Sequence, residues 1–262
     1  ITFAIYIGGI DLSAQSMANM VTVAATVFLA SMGAWVAALC VLAGALLGAF
    51  AGFVTTLFMV PSFISTLAVG GVAYSVARWL SGQKSVSMDA TQRDELFGWM
   101  ISTTHGIPNE LLIAAGLLLI CWFIERRTLL GRNLKAIGAG ELAAVASGIP
   151  VARYKIAAFA LSGALAALAG LLFAVKLSGG APNVANGFLL PAIVAVLVGG
   201  TPLTGGVGGV INTMIGALIV AVIRASMLYL EIEATQQQMF FGLILIAAIA
   251  FTIDRAKLRI VK

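Results

Sequence analysis

Two long stretches without charge constrain this chain more than any other feature: no Asp, Glu, Lys or Arg occurs in residues 12–77 or in residues 177–223. One helix needs only about 20 apolar residues to cross the hydrocarbon of a bilayer, so each stretch must fold back more than once. The rest of the chain agrees. Of 262 residues, 61% are hydrophobic and 10% charged, whereas soluble domains carry about 25% charged residues. This is an integral membrane protein. Its unbroken apolar runs mean helices, since barrel strands would alternate polar and apolar residues.

The pattern predicts spans at 14–32, 34–58 and 61–80, a polar loop over 81–110, and further spans at 111–124, 156–175, 207–223 and 239–253. Residues 188–198 form a segment of about 17 Å at the helical rise, too short to cross alone. Small residues recur in "AGALLGAFAG" and "LSGALAALAGLL", which permits close helix packing; Gly216 reads as a packing position where alanine is mild. The chain opens at Ile1 inside an apolar stretch, with no initiator Met and no basic flank, so N-terminal residues of a single transmembrane domain, 1–262, are expected to be missing. Cys40 and Cys121 read as small hydrophobes without metal-ligand spacing.

Basic residues set the expected orientation. Six of the 15 lie between Arg126 and Lys155, and four follow Asp254 (Arg255, Lys257, Arg259 and Lys262), so both segments, and with them the C-terminus, are expected in the cytoplasm. The 81–110 loop, with Lys84 and Arg93 against Asp89, Asp94, Glu95 and Glu110, belongs outside. The parity works only if the short 188–198 segment counts as a crossing. The net charge of +5 then needs no nucleic acid as a partner.

Within the first basic segment, "IGAGELAAVASGIP" places Gly138 and Gly140 before Glu141 and closes with Gly148 and Pro150, which predicts a two-turn helix. So short a helix must rest on something. One reading lays it on the membrane surface; the other docks its small face of Ala143, Ala144 and Ala146 into a protein groove. Two glycine breaks, "GGIDLS" and "GGTPLTGGVGG", interrupt apolar stretches. Irregular backbone at membrane depth is tolerated only under protein or beside a water-filled cavity, and broken helices point to a transport pathway. Asp11 reads either as a helix cap or as a solute contact. Lys176 and Arg224 end apolar runs and read as snorkelling residues.

"GGIDLSAQS", "VPSFISTL", "LFGWM", "LLGRNLKAIGAGELAAVASGIPVARYK", "LSGALAALAGLL" and "VGGTPLTGGVGG" together resemble the membrane permease subunits of ribose, xylose and galactose type ABC importers. The resemblance runs the length of the chain. It implies an all-α polytopic bundle with broken or short membrane helices, in a bacterial inner membrane, carrying a cytoplasmic coupling helix that rests in a groove of an ATP-hydrolysing subunit. Gly138, Gly140, Glu141, Ala144, Ser147, Gly148 and Arg153 are the expected coupling residues. Gly8, Gly9, Asp11, Ser13, Phe63, Gly199, Gly200 and Thr201 are the expected lining of the translocation path. The implied partners are two ABC ATPase subunits using ATP and Mg, a periplasmic or extracellular solute-binding protein, a second permease copy or paralogue, and membrane lipid. No catalytic residue, metal site or cofactor is expected in the chain itself.

The sequence departs from the family pattern at Ala14 and Gln15, at Leu189 and Pro191, and at Arg224 and Ala225; these positions bear on solute identity and on pairing with a different permease. Among rivals, an ion-coupled transporter needs buried ligands for its ion, and Asp11 is the one candidate. A channel would show a polar pore pattern. An enzyme would need a titratable constellation, and His105, the one histidine, stands alone in the loop. No "GxxxxGK[ST]" loop occurs, so a partner must supply the energy of ATP. Branched-chain amino acid permeases are the alternative within the ABC class, and "GGIDLS" favours the sugar branch.

Overall fold

A computed structural model describes residues 1–252; the end of the predicted 239–253 span and the basic tail from Arg255 lie outside the described residues. The chain is an all-helical bundle with almost no sheet. It runs α1 (Thr2–Tyr6), α2 (Ala14–Met32), α3 (Trp35–Leu57), α4 (Ser62–Ser81), β1 (Val86–Ser87), α5 (Ala90–Ile101), β2 (Thr103–Thr104), β3 (Ile107–Pro108), α6 (Asn109–Arg127) and α7 (Leu129–Ala139). It continues through α8 (Glu141–Ala146), α9 (Val151–Leu177), β4 (Gly179–Gly180), α10 (Leu189–Val198), α11 (Val210–Tyr229) and α12 (Ala234–Thr252). Among the described residues five helices, α2, α3, α4, α9 and α11, are long and apolar enough to cross a membrane. Helix α6, on the predicted 111–124 span, has 19 residues but carries Glu110, Glu125, Arg126 and Arg127 at its ends. Helix α10 has 10 residues, about 15 Å.

The 81–110 segment is not the open polar loop its composition predicts. Asp89 caps α5 by accepting from the Gln92 N–H at 2.9 Å, and Phe97 and Met100 reach down into the main core beside Val21 and Leu171. Strand β1 pairs antiparallel with β4, Val86 opposite Gly180. That pairing puts the segment at the Leu177 end of α9. Helices α7 and α8 lie at the other end, next to Val151, and the two are called below the loop end and the basic end.

The core is built on close backbone approach. Gly44, Gly48 and Gly52 of α3, one every four residues, face Gly163, Phe159 and Ile156 of α9, and a β-carbon at Gly52 would stand 2.8 Å from the Ile156 Cα. In lipid no hydrophobic force drives helices together, so such contacts must supply the association by van der Waals packing.

Candidate functional site

Helix α8 begins after the break at Gly140 and ends on Gly148, whose φ of 77° is the left-handed turn the sequence predicts. Of the small face Ala143, Ala144 and Ala146, only Ala144 is turned into the chain itself; Ala143 and Ala146 are exposed. Ala144 is buried at 4% exposure against Ile137 of α7 and Val151 of α9, so it holds the short helix to its own chain. Leu142 and Val145, spaced i, i+3 on the opposite face, stand 88% and 57% exposed. The small residue lets the helix seat closely; the larger ones are left free. Glu141 forms an ion pair with Lys155 of α9, both carboxylate oxygens accepting at 2.7 Å. The Ser147 hydroxyl donates to the Ala143 carbonyl at 2.9 Å, and Arg153 is exposed. Gly138 lies within the fold, where a β-carbon would collide with the Tyr6 carbonyl and the Gly206 N–H.

The first glycine break, residues 8–13, turns at Gly8, whose φ is 69°, and then runs as irregular chain; the Gly8 and Gly9 N–H groups donate to the Ile5 and Ala4 carbonyls, and side chains from α4 and α9 meet the groups that follow. The Ile10 N–H donates to Ser62 Oγ at 2.9 Å and the Leu12 N–H to Thr66 Oγ1 at 3.1 Å. Asp11 is 1% exposed. Its Oδ1 accepts from the Ser13 N–H at 2.9 Å and the Ser13 hydroxyl at 2.5 Å, and its Oδ2 accepts from Ser162 of α9 at 2.5 Å. Asp11 thus closes a turn just before α2 begins, its carboxylate accepting from the N–H two residues on as a cap does, and ties that turn to α9. Ser13, the residue at the cap position, is buried with it.

The second break, residues 199–209, docks by backbone fit. The Gly206 N–H donates to the Tyr6 carbonyl at 2.9 Å, a β-carbon at Gly205 would stand 2.6 Å from the Gly8 nitrogen, and Gly8 itself faces the Thr204 carbonyl. The two breaks thus touch, and Gly138 joins them. Gly199 presses on Asn212 of α11, a β-carbon at Gly200 would meet no atom within 4 Å, and Thr201 is fully buried with its side chain against Gly208. Gly216 is no mild position: a β-carbon there would strike the Ala195 carbonyl. Its helix meets α10 backbone to backbone.

Beside this junction the Glu125 carboxylate accepts from Lys135 Nζ at 2.6 Å and from the Val210 N–H at 2.8 Å, while Lys135 also donates to the Gly208 carbonyl at 2.8 Å. The ends of α6, α7 and α11 are joined there.

Of the expected path residues, Gly8 and Gly9 line a cavity of about 560 Å³ at the basic end, together with Thr55, Ser62, Glu141 and Lys155. Phe63 points away, 47% exposed, and Gly199, Gly200 and Thr201 line none of the larger cavities among the described residues. A second cavity of about 510 Å³ lies between α2, α9, α10 and α11, and gathers Ala14, Gln15, Leu189, Pro191 and Arg224. The Arg224 guanidinium stacks 4.0 Å over the Phe188 ring. Lys176 is paired with Glu110 at 2.6 Å.

Sequence reasoning missed Ser62, Thr66, Ser162, Asn19 and the Glu125–Lys135 pair. Ser62, Ser65 and Thr66 at i, i+3, i+4 were a legible polar stripe inside a span. Asn19 was the one asparagine in residues 12–77; its Oδ1 accepts from the Ala185 N–H at 2.6 Å, holding the irregular strand that leads into α10.

Comparison with known proteins gives the geometry a family. The family model described as branched-chain amino acid transport system / permease component matches residues 1–249. The chain is 34% identical over 251 residues to the ribose import permease protein RbsC of Escherichia coli (strain K12), covering 95% of this chain and 78% of that protein. It is 32% identical over 256 residues to the D-allose transport system permease protein AlsC of the same strain, covering 95% and 76%. With the L-arabinose transport system permease protein AraH, also of that strain, identity is 34% over 206 residues, covering 79% and 61%. No solved structure matches the chain. A bundle of apolar helices with a short exposed helix at its basic end, matched along nearly its whole length by these proteins, belongs to the family of ABC importer permeases and is a multi-pass inner-membrane protein of the ribose permease type.

Proposed function

We propose that the chain carries a sugar inward through the membrane, driven by separate ATPase subunits that dock on α8, with the basic end in the cytoplasm. The observation that carries this reading is the pair Leu142 and Val145, apolar and exposed on a six-residue helix that its own chain grips from behind. An isolated helix of that length is unstable in water, and its free face offers a partner two anchors on a fixed support. The chain works with a second permease copy or paralogue and receives solute from a binding protein outside. ATP and Mg are used by the ATPase, and this chain has no catalytic role. The relatives named for ribose, arabinose and allose favour a sugar over the amino acid in the family model's description.

The geometry suggests how a push on α8 reaches the bundle. Ala144 couples it to α7 and α9, Glu141 couples it to Lys155 on the wall of the 560 Å³ cavity, and α7 carries Gly138 into the meeting point of both glycine breaks. Closure of the ATPase pair then shifts α8, α7 and the breaks together, and rocks the spans between two openings. The test is uptake by proteoliposomes holding the permease, its ATPase and its binding protein, offered radiolabelled ribose, arabinose, allose or leucine. ATP-dependent uptake of a sugar is expected. Leucine uptake, or uptake that follows an ion gradient without ATP, would reject the reading.

A further inference from the structure

The basic end holds another pocket, of about 260 Å³, where α6, α7 and the start of α11 meet; Trp122, Glu125, Arg126, Arg132, Lys135 and Asn212 line it. Its one acid is already occupied: Glu125 gives one oxygen to Lys135 and the other to the Val210 N–H. Lys135 is thereby neutralised. Arg126 and Arg132 are exposed, and neither forms an ion pair among the described residues. Two guanidinium forks thus face a pocket with no acid left to meet them.

The surfaces around the pocket say at what depth it sits. On α6, Leu119, Ile120 and Phe123 are 63%, 57% and 57% exposed, and in a bundle of membrane helices such residues meet acyl chains. Arg126 and Arg127 follow Phe123 at i+3 and i+4, on the same face one turn nearer the basic end. Across the pocket, Ile211 and Ile215 of α11 are 45% and 53% exposed. Trp122, half-buried, occupies the boundary where aromatic side chains collect in membrane proteins. Apolar outward surface leads, within one turn, to paired cations.

We propose that this pocket binds the phosphodiester headgroup of an anionic phospholipid in the leaflet at the basic end, the acyl chains lying along the exposed faces of α6 and α11. Guanidinium forks match phosphate oxygens two at a time, and basic pockets between membrane helices hold such headgroups on the cytoplasmic side. The sidedness proposed above serves only to name that leaflet cytoplasmic. An acidic patch of the ATPase is the competing occupant. It is disfavoured because the pocket opens beside lipid-facing Phe123 and Ile211, whereas the exposed anchors Leu142 and Val145 lie on α8, beyond the far end of α7.

The experiment is native mass spectrometry of the full-length permease titrated with phosphatidylglycerol or phosphatidylcholine. Wild type should bind one phosphatidylglycerol in preference to phosphatidylcholine. Arg126→Gln/Arg132→Gln should weaken phosphatidylglycerol binding about tenfold or more, from the contribution of each cation near an anionic headgroup. Arg126→Lys/Arg132→Lys, which keeps the charges and loses the forks, should fall between, and Lys84→Gln at the loop end should behave as wild type. Equal binding of the two lipids, or an unchanged glutamine variant, overturns the proposal. So does soluble glycerol phosphate binding as tightly as phosphatidylglycerol, which would mark a small-anion site. Loss of ATPase copurification in the glutamine variant with unchanged lipid binding would assign the patch to the ATPase, and would leave the importer reading standing.

Discussion

The two irregular segments that interrupt the bundle are held in opposite ways. Residues 10–13 are pinned by side chains: Ser62, Thr66 and Asp11 accept from the Ile10, Leu12 and Ser13 N–H groups, and Ser162 holds Asp11. Residues 199–209 are held mainly by backbone fit, glycine backbone lying on the backbone of Tyr6, Gly8 and Gly138. The first arrangement fixes a segment to its neighbours through directional bonds. The second brings backbone against backbone at the place where α7 arrives from α8, and Lys135 ties it there through the Gly208 carbonyl. A joint made by side-chain hydrogen bonds and one made by backbone packing stand side by side, and the second is connected through α7 to α8.

The contrast can be broken most severely at Gly138. Valine there has no room against the Tyr6 carbonyl and the Gly206 nitrogen, and backbone cannot retreat as a side chain would. Gly138→Val is expected to destabilise the protein by more than about 3 kcal/mol, measured by thermal unfolding in detergent, and to abolish uptake. At the pinned joint, Asp11→Ala leaves the Ser13 N–H and the Ser162 hydroxyl buried without their acceptor and should cost about 2–4 kcal/mol. Asp11→Asn keeps an acceptor for Ser13 and should cost about half that in the same unfolding assay, with uptake retained. The smallest effect should come from Gly200, which has a φ of 83° and no atom within 4 Å of a β-carbon. Gly200→Ala should cost only the backbone strain, about 1 kcal/mol, and leave assembly with the ATPase intact.

How much of this was legible in the sequence follows from what kind of contact each residue makes. Five of the spans were, because charge-free length and hydropathy are local properties; α2 has its predicted bounds, and the short α10 stands where 188–198 was too brief to cross. Helix α8 was legible through Gly140, Glu141 and Gly148. Its orientation was not, because burial of Ala144 depends on Ile137 and Val151, residues set by the packing of two other helices. The folding of the 81–110 segment was hidden because β1 pairs with β4, more than ninety positions onward. Glu125 and Lys135 gave no signal at a spacing of ten, since their meeting depends on the turn between α6 and α7. Gly216 looked like an ordinary small residue until the Ala195 carbonyl appeared opposite it.

The account turns on which face of α8 is offered to the ATPase, and copurification decides it. The double variant Leu142→Asp/Val145→Asp alters two exposed side chains outside the buried clusters, so its thermal unfolding should stay close to wild type while the ATPase is lost from the purified complex. Retention of the ATPase by that variant, with solute-stimulated ATP turnover at the wild-type rate, would contradict the assignment of α8 as the coupling surface.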